Sequence, residues 1–433
     1  MYFVYNYLFS IALLITTPFF LFRMATTRRF RKGMAERWGF YGPTGRDLNA
    51  EHSIWIQAAS VGEVTAALPL INSLRKEYPE EKIILTCQTA AGRDLARKKL
   101  GSGVVAILSP LDLGWVINKL ISVSRPRVLI LVETEIWPGM IMTARRKEIP
   151  IVIVNGRIST SSFRGYSKVN FLVGPLLKMV TAFGMRSEED ASRIRRLGAP
   201  SDRVTVTGNI KFDSLPGPEL PRDSRKELEE ILGLESKDMM FVGGSTYEGE
   251  DLILYEAYLD FRESYPGLRL LLAPRHMERV GAIEEVLRSR NQAYSLYTSL
   301  LNLPMAQKKS EVVILDVMGV LSDHYGLATV AFIGRSLRGY GGQNPIEPAS
   351  FGCPIIFGPH MENFREIADD LVQAGGAVRI RNEGELSEEL ARLLSDPVRR
   401  NEMGENARRL VEKCRGASRR NLELIRIIFP EEK

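Results

Sequence analysis

Gly339-Tyr340-Gly341-Gly342-Gln343-Asn344-Pro345-Ile346-Glu347-Pro348-Ala349 follows an apolar run, 329–334, and leads into a short helical pattern that stops near Gly352. Strand, glycine-rich turn and helix in that order is a nucleotide-holding unit. Gly341 and Gly342 lack Cβ, so the backbone can turn tightly there and approach a ligand. Pro345 suits a first helical turn, where its missing N–H is not needed. The free N–H groups of such a helix start form an anion site. Glu347, half a turn inside, can accept from two vicinal hydroxyls, as an acid does on a ribose. A plain glycine-rich loop before a Pro-started helix would carry the same letters.

The surrounding chain repeats the pattern. Runs at 240–242, 268–273, 312–315 and 354–357 lead into Gly243–Glu250, Pro274–Arg279, Asp316–Gly319 and Gly358–His360. Ser245 and Thr246 can donate to phosphate, and Arg275 can pair with it through two parallel hydrogen bonds. Several such clusters on one rim are stronger evidence than any one of them. There is no Walker A sequence, and no Gly-x-Gly-x-x-Gly opens a helix after a strand. Four scattered histidines, no paired cysteines and no Asp-x-Asp argue against a metal site.

The preceding half has the same alternation. Apolar runs at 53–57, 82–86, 104–108, 128–132, 151–154, 182–185 and 204–207 are separated by helical patterns, which indicates a parallel sheet covered on both faces. Ligands of such sheets bind beyond the carboxyl ends of the strands. Three ends stand out. Ala58-Ala59-Ser60-Val61-Gly62-Glu63 puts Glu63 at a strand-to-helix turn, as a proton acceptor or as an acid favoured by the helix dipole. Glu133-Thr134-Glu135-Ile136-Trp137-Pro138 places two acids together. Asn155-Gly156-Arg157, followed by Arg164 and Lys168, is either a site for acidic groups of an acceptor or a solvated basic face.

At 433 residues the chain exceeds the ~250–300 that one core supports, so two domains are expected. The proline-rich stretch 215–222 reads as the linker between them. Three distant cysteines, Cys87, Cys353 and Cys414, fit a reducing compartment without disulfides. Residues 2–22 are uncharged and rich in Phe, Leu and Ile, and about 20 such residues span a bilayer. Six basic residues follow (Arg23, Arg28, Arg29, Arg31, Lys32 and Arg37) against one acid, Glu36. That local excess of five nearly equals the whole-chain net charge of +6, so the remainder is almost neutral and no nucleic-acid-binding surface is expected. Positive flanks stay on the cytoplasmic side. Trp38 and Phe40 fit a membrane-surface segment.

The motifs Ala-Ala-Ser-Val-Gly-Glu (58–63), Glu-Thr-Glu-Ile-Trp-Pro (133–138), Gly-Asn-Ile-Lys-Phe-Asp (208–213), Ala-Pro-Arg-His (273–276) and Asn-Pro-Ile-Glu-Pro-Ala (344–349) resemble, in order, those of the Kdo (3-deoxy-D-manno-octulosonic acid) transferases of lipopolysaccharide assembly. The resemblance covers nearly the whole chain. It implies a GT-B glycosyltransferase, α/β, with two Rossmann-like domains facing a cleft and an N-terminal membrane-anchor helix. The expected parts are an anchor at 1–22, a basic segment at 23–50, an acceptor domain at 51–209, a linker at 210–222 and a donor domain at 223–412. A C-terminal helix at 413–433 would pack back on the first domain. The implied reaction moves Kdo from CMP-Kdo to a lipid A precursor (lipid IVA) at the cytoplasmic face of the inner membrane. It inverts the anomeric centre and uses no metal and no cofactor.

By resemblance Glu63 is the general base, and Glu133 and Lys211 support the transition state. CMP is assigned to Pro274, Arg275, Met318, Gly319, Val320, Asn344, Pro345, Ile346 and Glu347, joined by Ser245, Thr246, Gly341 and Gly342. Ser60 and Arg157 fall to the acceptor. The family usually has His at the positions of Gln343 and Tyr247, and often Glu at that of Val320, which leaves only backbone contacts to carry over there. Two other chemistries fit parts of the pattern. One is a GT-B transferase using a UDP-sugar. The other is an α/β-hydrolase with Ser60 as nucleophile and His324 or His360 as base, although its elbow lacks the first glycine. A non-catalytic membrane scaffold leaves the strand-end clusters unexplained.

Overall fold

The computed structural model describes residues 2, 5–7, 10, 11, 15, 33–42, 44–215, 217, 219–304, 308 and 310–429. The chain divides into two compact units, Met1–Ser214 with Cys414–Lys433, and Leu215–Lys413.

The first unit is built on seven strands, β1 (Ser53–Gln57), β2 (Lys82–Cys87), β3 (Val104–Leu108), β4 (Pro126–Val132), β5 (Ile151–Gly156), β6 (Ala182–Met185) and β7 (Val204–Val206). They are hydrogen-bonded in the order β3-β2-β1-β4-β5-β6-β7, and each recorded pair is parallel. A strand covered on both faces has no solvent side, so its sequence is an unbroken apolar run. All five residues of β1 are buried accordingly, and the Trp55 indole donates to the Thr86 hydroxyl at 2.9 Å. Strand order reverses between β1 and β4. That is where the paths of the following loops diverge and a ligand finds room.

The second unit repeats the plan with β8 (Met239–Thr246), β9 (Leu268–Pro274), β10 (Tyr294–Leu296), β11 (Val312–Ile314), β12 (Val330–Ile333), β13 (Ile355–Phe357) and β14 (Ala377–Arg379). Their order is β10-β11-β9-β8-β12-β13-β14, again parallel, and the reversal falls between β8 and β12. Every apolar run read from the sequence is a strand. The two strands not foreseen, β10 and β14, are three-residue edges, Tyr-Ser-Leu and Ala-Val-Arg, too short to form an apolar run.

One boundary moves. The expected linker began at 210, but Ile210–Ser214 is a short 3₁₀ helix of the first unit. Ile210 is fully buried, Phe212 nearly so, and the Ile210 amide donates to Asn155 Oδ1 at 3.1 Å. The C-terminal helix Ala417–Ile428, expected to pack back on the first domain, belongs to the first unit. Ala417, Leu422, Ile425 and Phe429 join the apolar layer that packs on β1 and β2, and the Phe429 ring stands edge-on to Tyr78 at 4.9 Å. The Asp213 carboxylate fixes the start of that helix by accepting from the Gly416 and Ser418 amides at 2.6 and 2.5 Å.

Most of the anchor stretch 1–22, and the basic residues Arg23, Arg28, Arg29, Arg31 and Lys32, lie outside the described residues. No helix among the described residues is long and apolar enough to cross a membrane. Arg37 departs from the basic-patch reading: its guanidinium donates to the Gln88 side chain at 2.8 Å and to the Gln88 carbonyl. Its neighbour Glu36 accepts from the Leu108 amide at 2.8 Å and pairs with Arg93 at 3.2 Å, so this segment is fastened to the first unit.

Candidate active site

Two groups of side chains gather at the strand ends, one in each unit. In the first, the helix Val61–Glu77 starts directly after β1. Ser60 is its cap: the Ser60 hydroxyl accepts from the Glu63 amide at 3.3 Å and donates to Glu63 Oε1 at 2.8 Å. Glu63 Oε2 accepts from the Ala59 amide at 2.6 Å. This reciprocal capping holds the carboxylate at the first turn. Glu63 is 8% exposed, and burial raises its pKa above the usual carboxylate range. The Ala59 and Ser60 hydrogen bonds oppose that shift, and the nearby Glu133 and Glu135 add to it. A carboxyl raised in this way is a better base once deprotonated.

Glu133 follows β4 with φ +63°, a left-handed conformation that only a few per cent of non-glycine residues adopt. Its amide donates to the Val154 carbonyl at 2.9 Å, which fixes the turn. Its carboxylate lies 3.5 Å from Lys211 Nζ, and both side chains are partly exposed. Glu135 is engaged elsewhere, accepting from the Trp137 indole at 2.7 Å. Of the two acids, Glu133 is therefore the one joined to the cation. Lys211 arrives through the short helix Ile210–Ser214, so the segment expected as linker carries the partner of Glu133.

Ser60, assigned to the acceptor, hydrogen-bonds the Glu63 carboxylate. Its hydrogen bond to Glu63 also differs from a nucleophile elbow, where a histidine takes the serine proton. Arg157 is exposed at the end of β5, with its amide donating to Thr134 Oγ1 at 2.9 Å. Arg164 and Lys168 are exposed on the next helix, Thr160–Lys168.

In the second unit a cavity of about 270 Å³ opens at the carboxyl ends of β8, β9 and β11. Ser245, Pro274, Arg275, Met318, Gly319 and Glu347 line it, all six from the sequence reading. Glu347 Oε1 accepts from Asn344 Nδ2 at 3.0 Å, and Asn344 Oδ1 accepts from the Ile346 amide at 3.1 Å. Burial raises the Glu347 pKa, and the Asn344 hydrogen bond opposes the rise.

Several assignments change. The helix after the glycine-rich turn is only five residues, Ile346–Ser350, and its first amide is taken by Asn344. The expected open anion site at that helix start is therefore not formed. Gly341 and Gly342 do turn with φ +109° and +66°, but the space a Cβ would need is filled by Asn363 and Met361 of the same chain rather than left for a ligand. Thr246 is fully buried and its hydroxyl donates to Asp251, so that proton is not available to a phosphate. Val320 contributes its carbonyl to His324 Nδ1 at 2.9 Å. Pro345 and Ile346 are buried and do not line the cavity. Ala273 and Met277 also line it, and the sequence reading missed Leu315, Val317, Leu321 and Ser322, which complete the wall. They flank the Met318-Gly319 pair on both sides, and that adjacency was the available signal.

Among the described residues no group of three or more His, Cys, Asp and Glu side chains is placed to hold a metal ion.

Comparison with known proteins decides the family. Residues 32–214 match the family model described as 3-deoxy-D-manno-octulosonic-acid transferase (kdotransferase). The chain is 32% identical to the 3-deoxy-D-manno-octulosonic acid transferase of Haemophilus influenzae over 98% of both chains. The chain belongs to the Kdo transferase family. The transferase of Chlamydophila psittaci is 30% identical over 86% of this chain and 84% of its own. Among solved structures, the UDP-GlcNAc 2-epimerase of Neisseria meningitidis shares the two-unit GT-B-like fold, with TM-score 0.61 and 14% identity over 86% of this chain and 99% of that one. This enzyme is accordingly a glycosyltransferase that transfers Kdo.

The capping serine yields a test. Ser60→Ala removes a hydrogen bond that lowers the Glu63 pKa, so the acid limb of kcat/KM should move to higher pH while turnover above that limb persists. A pH–rate profile of the purified enzyme checks both. Complete loss of turnover, or an unmoved limb, contradicts the role given to Ser60.

Proposed function

We propose that the enzyme transfers Kdo from CMP-Kdo to a hydroxyl of a phosphorylated, acylated lipid A precursor, inverting the anomeric carbon. The carrying observation is the buried Glu63 carboxylate, with the Glu133–Lys211 pair at the neighbouring strand end. In this reading Glu63 takes the proton of the acceptor hydroxyl as its oxygen bonds to the anomeric carbon. The bond from that carbon to the CMP phosphate oxygen breaks, and the electron pair leaves with CMP. Arg275 faces the phosphate, and Glu347 accepts from the ribose hydroxyls. Lys211, steadied by Glu133, supplies positive charge for the charge that develops in transfer. The reading requires no metal, because side-chain cations fill that role.

The acceptor's chemistry has a counterpart on the first unit. Arg157, Arg164 and Lys168 are exposed, and just beyond them Val169, Phe171 and Leu172 are exposed apolar residues. Cations beside apolar side chains suit an acceptor with both phosphates and acyl chains.

A membrane surface is the proposed setting, on the cytoplasmic side. Phe40 and Trp115 are 62% and 47% exposed, and Trp38 lies 5.9 Å from Trp115. Lys119 Nζ sits 4.2 Å from the Phe40 ring centre and 4.8 Å from that of Trp115. Aromatic rings with an adjacent cation prefer the headgroup level of a bilayer. The N-terminal residues reach the same edge: the Tyr5 hydroxyl donates to Asp112 at 2.6 Å, and Asn6 Oδ1 accepts from the Gly114 amide at 2.7 Å.

Incubation with CMP-Kdo and a tetra-acylated lipid A precursor, followed by mass spectrometry, should give the Kdo-bearing lipid, equally with and without EDTA. Transfer from a UDP-sugar but not from CMP-Kdo would overturn the reading. Replacing Phe40 and Trp115 together by Ala should reduce recovery on anionic vesicles, while transfer to a detergent-dispersed acceptor holds. Unchanged vesicle recovery removes the aromatic patch from the membrane contact.

A further inference from the structure

Glu250 lies at the start of the helix Glu250–Leu259 and is completely buried. Both oxygens of its carboxylate face backbone amides. Oε2 accepts from Tyr247 at 2.8 Å and Arg335 at 2.6 Å. Oε1 accepts from Ser336 at 3.1 Å, and from Leu337 and Arg338 at 3.0 Å each. Five N–H groups thus converge on one anion. Four of them are consecutive, and the first of these residues, Arg335, has φ +56°. Successive amides in such a conformation form a concave anion-binding nest. Here the protein fills the nest with its own carboxylate.

The segments gathered in this way are those on which the donor cavity stands. Tyr247 closely follows Ser245, which lines the cavity. The stretch 335–338 begins the loop that ends in Asn344 and Glu347. Further hydrogen bonds carry the same constraint onward. The Gly334 amide donates to the Gly244 carbonyl at 2.8 Å, and the Gly342 amide to the Arg335 carbonyl at 3.0 Å. Ser336 Oγ accepts from Gly358 at 2.8 Å, and the Ser336 carbonyl from His360 at 2.9 Å. A Cβ on Gly334 would collide with the Ser245 carbonyl, so the ends of β8 and β12 pass at backbone contact. The loops after β8, β12 and β13 are therefore one unit with Glu250 at its centre.

We infer that Glu250 is a positioning residue for the CMP moiety: its carboxylate holds the loop after β12 so that Glu347 and Ser245 stand at the cavity wall. The inference rests on the CMP-Kdo reading and adds a residue that does not touch the nucleotide. The ring of amides at 335–338, just before the glycine-rich segment, is thereby occupied, and in this reading the donor phosphate falls to Arg275. Glu250→Gln keeps the shape, removes the charge and turns an N–H₂ toward a ring of donors, where a buried donor loses its partner. Losing a residue that orients binding groups commonly costs about 10–100-fold in affinity or activity at metal sites, and a loss of that order is expected here.

The test combines binding, kinetics and exchange. Calorimetry with CMP should show Glu250→Gln weakened by about 10–100-fold. KM for CMP-Kdo should rise in parallel, with kcat at saturating donor nearly kept. In Glu250→Ala, formate or acetate should restore part of the CMP affinity by entering the vacated ring of amides, and chloride at equal ionic strength should not. Parent-like CMP binding by folded Glu250→Gln overturns the inference. If neither variant folds, hydrogen exchange of the unmodified enzyme decides it. Amides 335–338 should be protected before CMP is added and gain little from it. Fast exchange there without CMP, followed by protection on binding, overturns the inference. An unmodified enzyme that fails to bind CMP refutes the donor reading, while the exchange of 335–338 still judges the Glu250 clamp.

Discussion

Carboxylates bonded to backbone amides hold the strand-end loops of both sheets. A parallel sheet supplies partners for its own N–H groups but none for the loops that leave it, and a buried amide without a partner costs about 1–3 kcal/mol. Glu63 serves Ala59. Asp112 serves Gly139 and Met140 at 2.8 and 2.7 Å. Asp190 serves Ile158 at 2.6 Å. Glu250 takes the loop after β12, and Glu362 takes Gly341 at 2.9 Å. Hydrogen bonds to charged groups are each worth about 1.5–3 kcal/mol. Loops held in this way keep their geometry without forming regular structure, which a site spread over several strand ends requires.

The carboxylates divide by what remains free after the amides are satisfied. Glu250 is enclosed by N–H groups and has nothing left to offer a substrate. Glu63 is bonded on both oxygens, yet only by one amide and one hydroxyl, and two further carboxylates lie near enough to raise its pKa. Glu133 lacks such a ring and instead steadies Lys211. In the proposed reading, burial and like charges suit Glu63 to base chemistry, and the cation beside Glu133 suits that pair to charge stabilisation, by the same rules that assign the remainder to architecture.

Much of this was legible in the letters. The apolar runs marked twelve of the fourteen strands among the described residues, because strands buried on both faces must be apolar throughout. Motif resemblance pointed to Glu63, Glu133, Lys211, Arg275 and Glu347, and the structure brings the first three together in one unit and the last two to one cavity. What stayed hidden depends on contacts distant in sequence. Nothing near Ile210 announces that Asn155 receives its amide. Nothing near Glu250 announces the amides of 335–338, some 85 residues away. Proline content marked 215–222 as the linker, but the expected division began it at 210, whereas the burial of Ile210 and Phe212 makes 210–214 part of the first unit.

The central claim is that Glu63 removes the proton of the acceptor hydroxyl. Single-turnover transfer by Glu63→Gln, with CMP-Kdo bound beforehand, tests it most directly. General-base catalysis contributes about 10²–10⁴-fold, so the rate of transfer should fall at least about a hundredfold while CMP affinity is unchanged. Transfer at the rate of the unmodified enzyme would contradict the account and move the proton to another group.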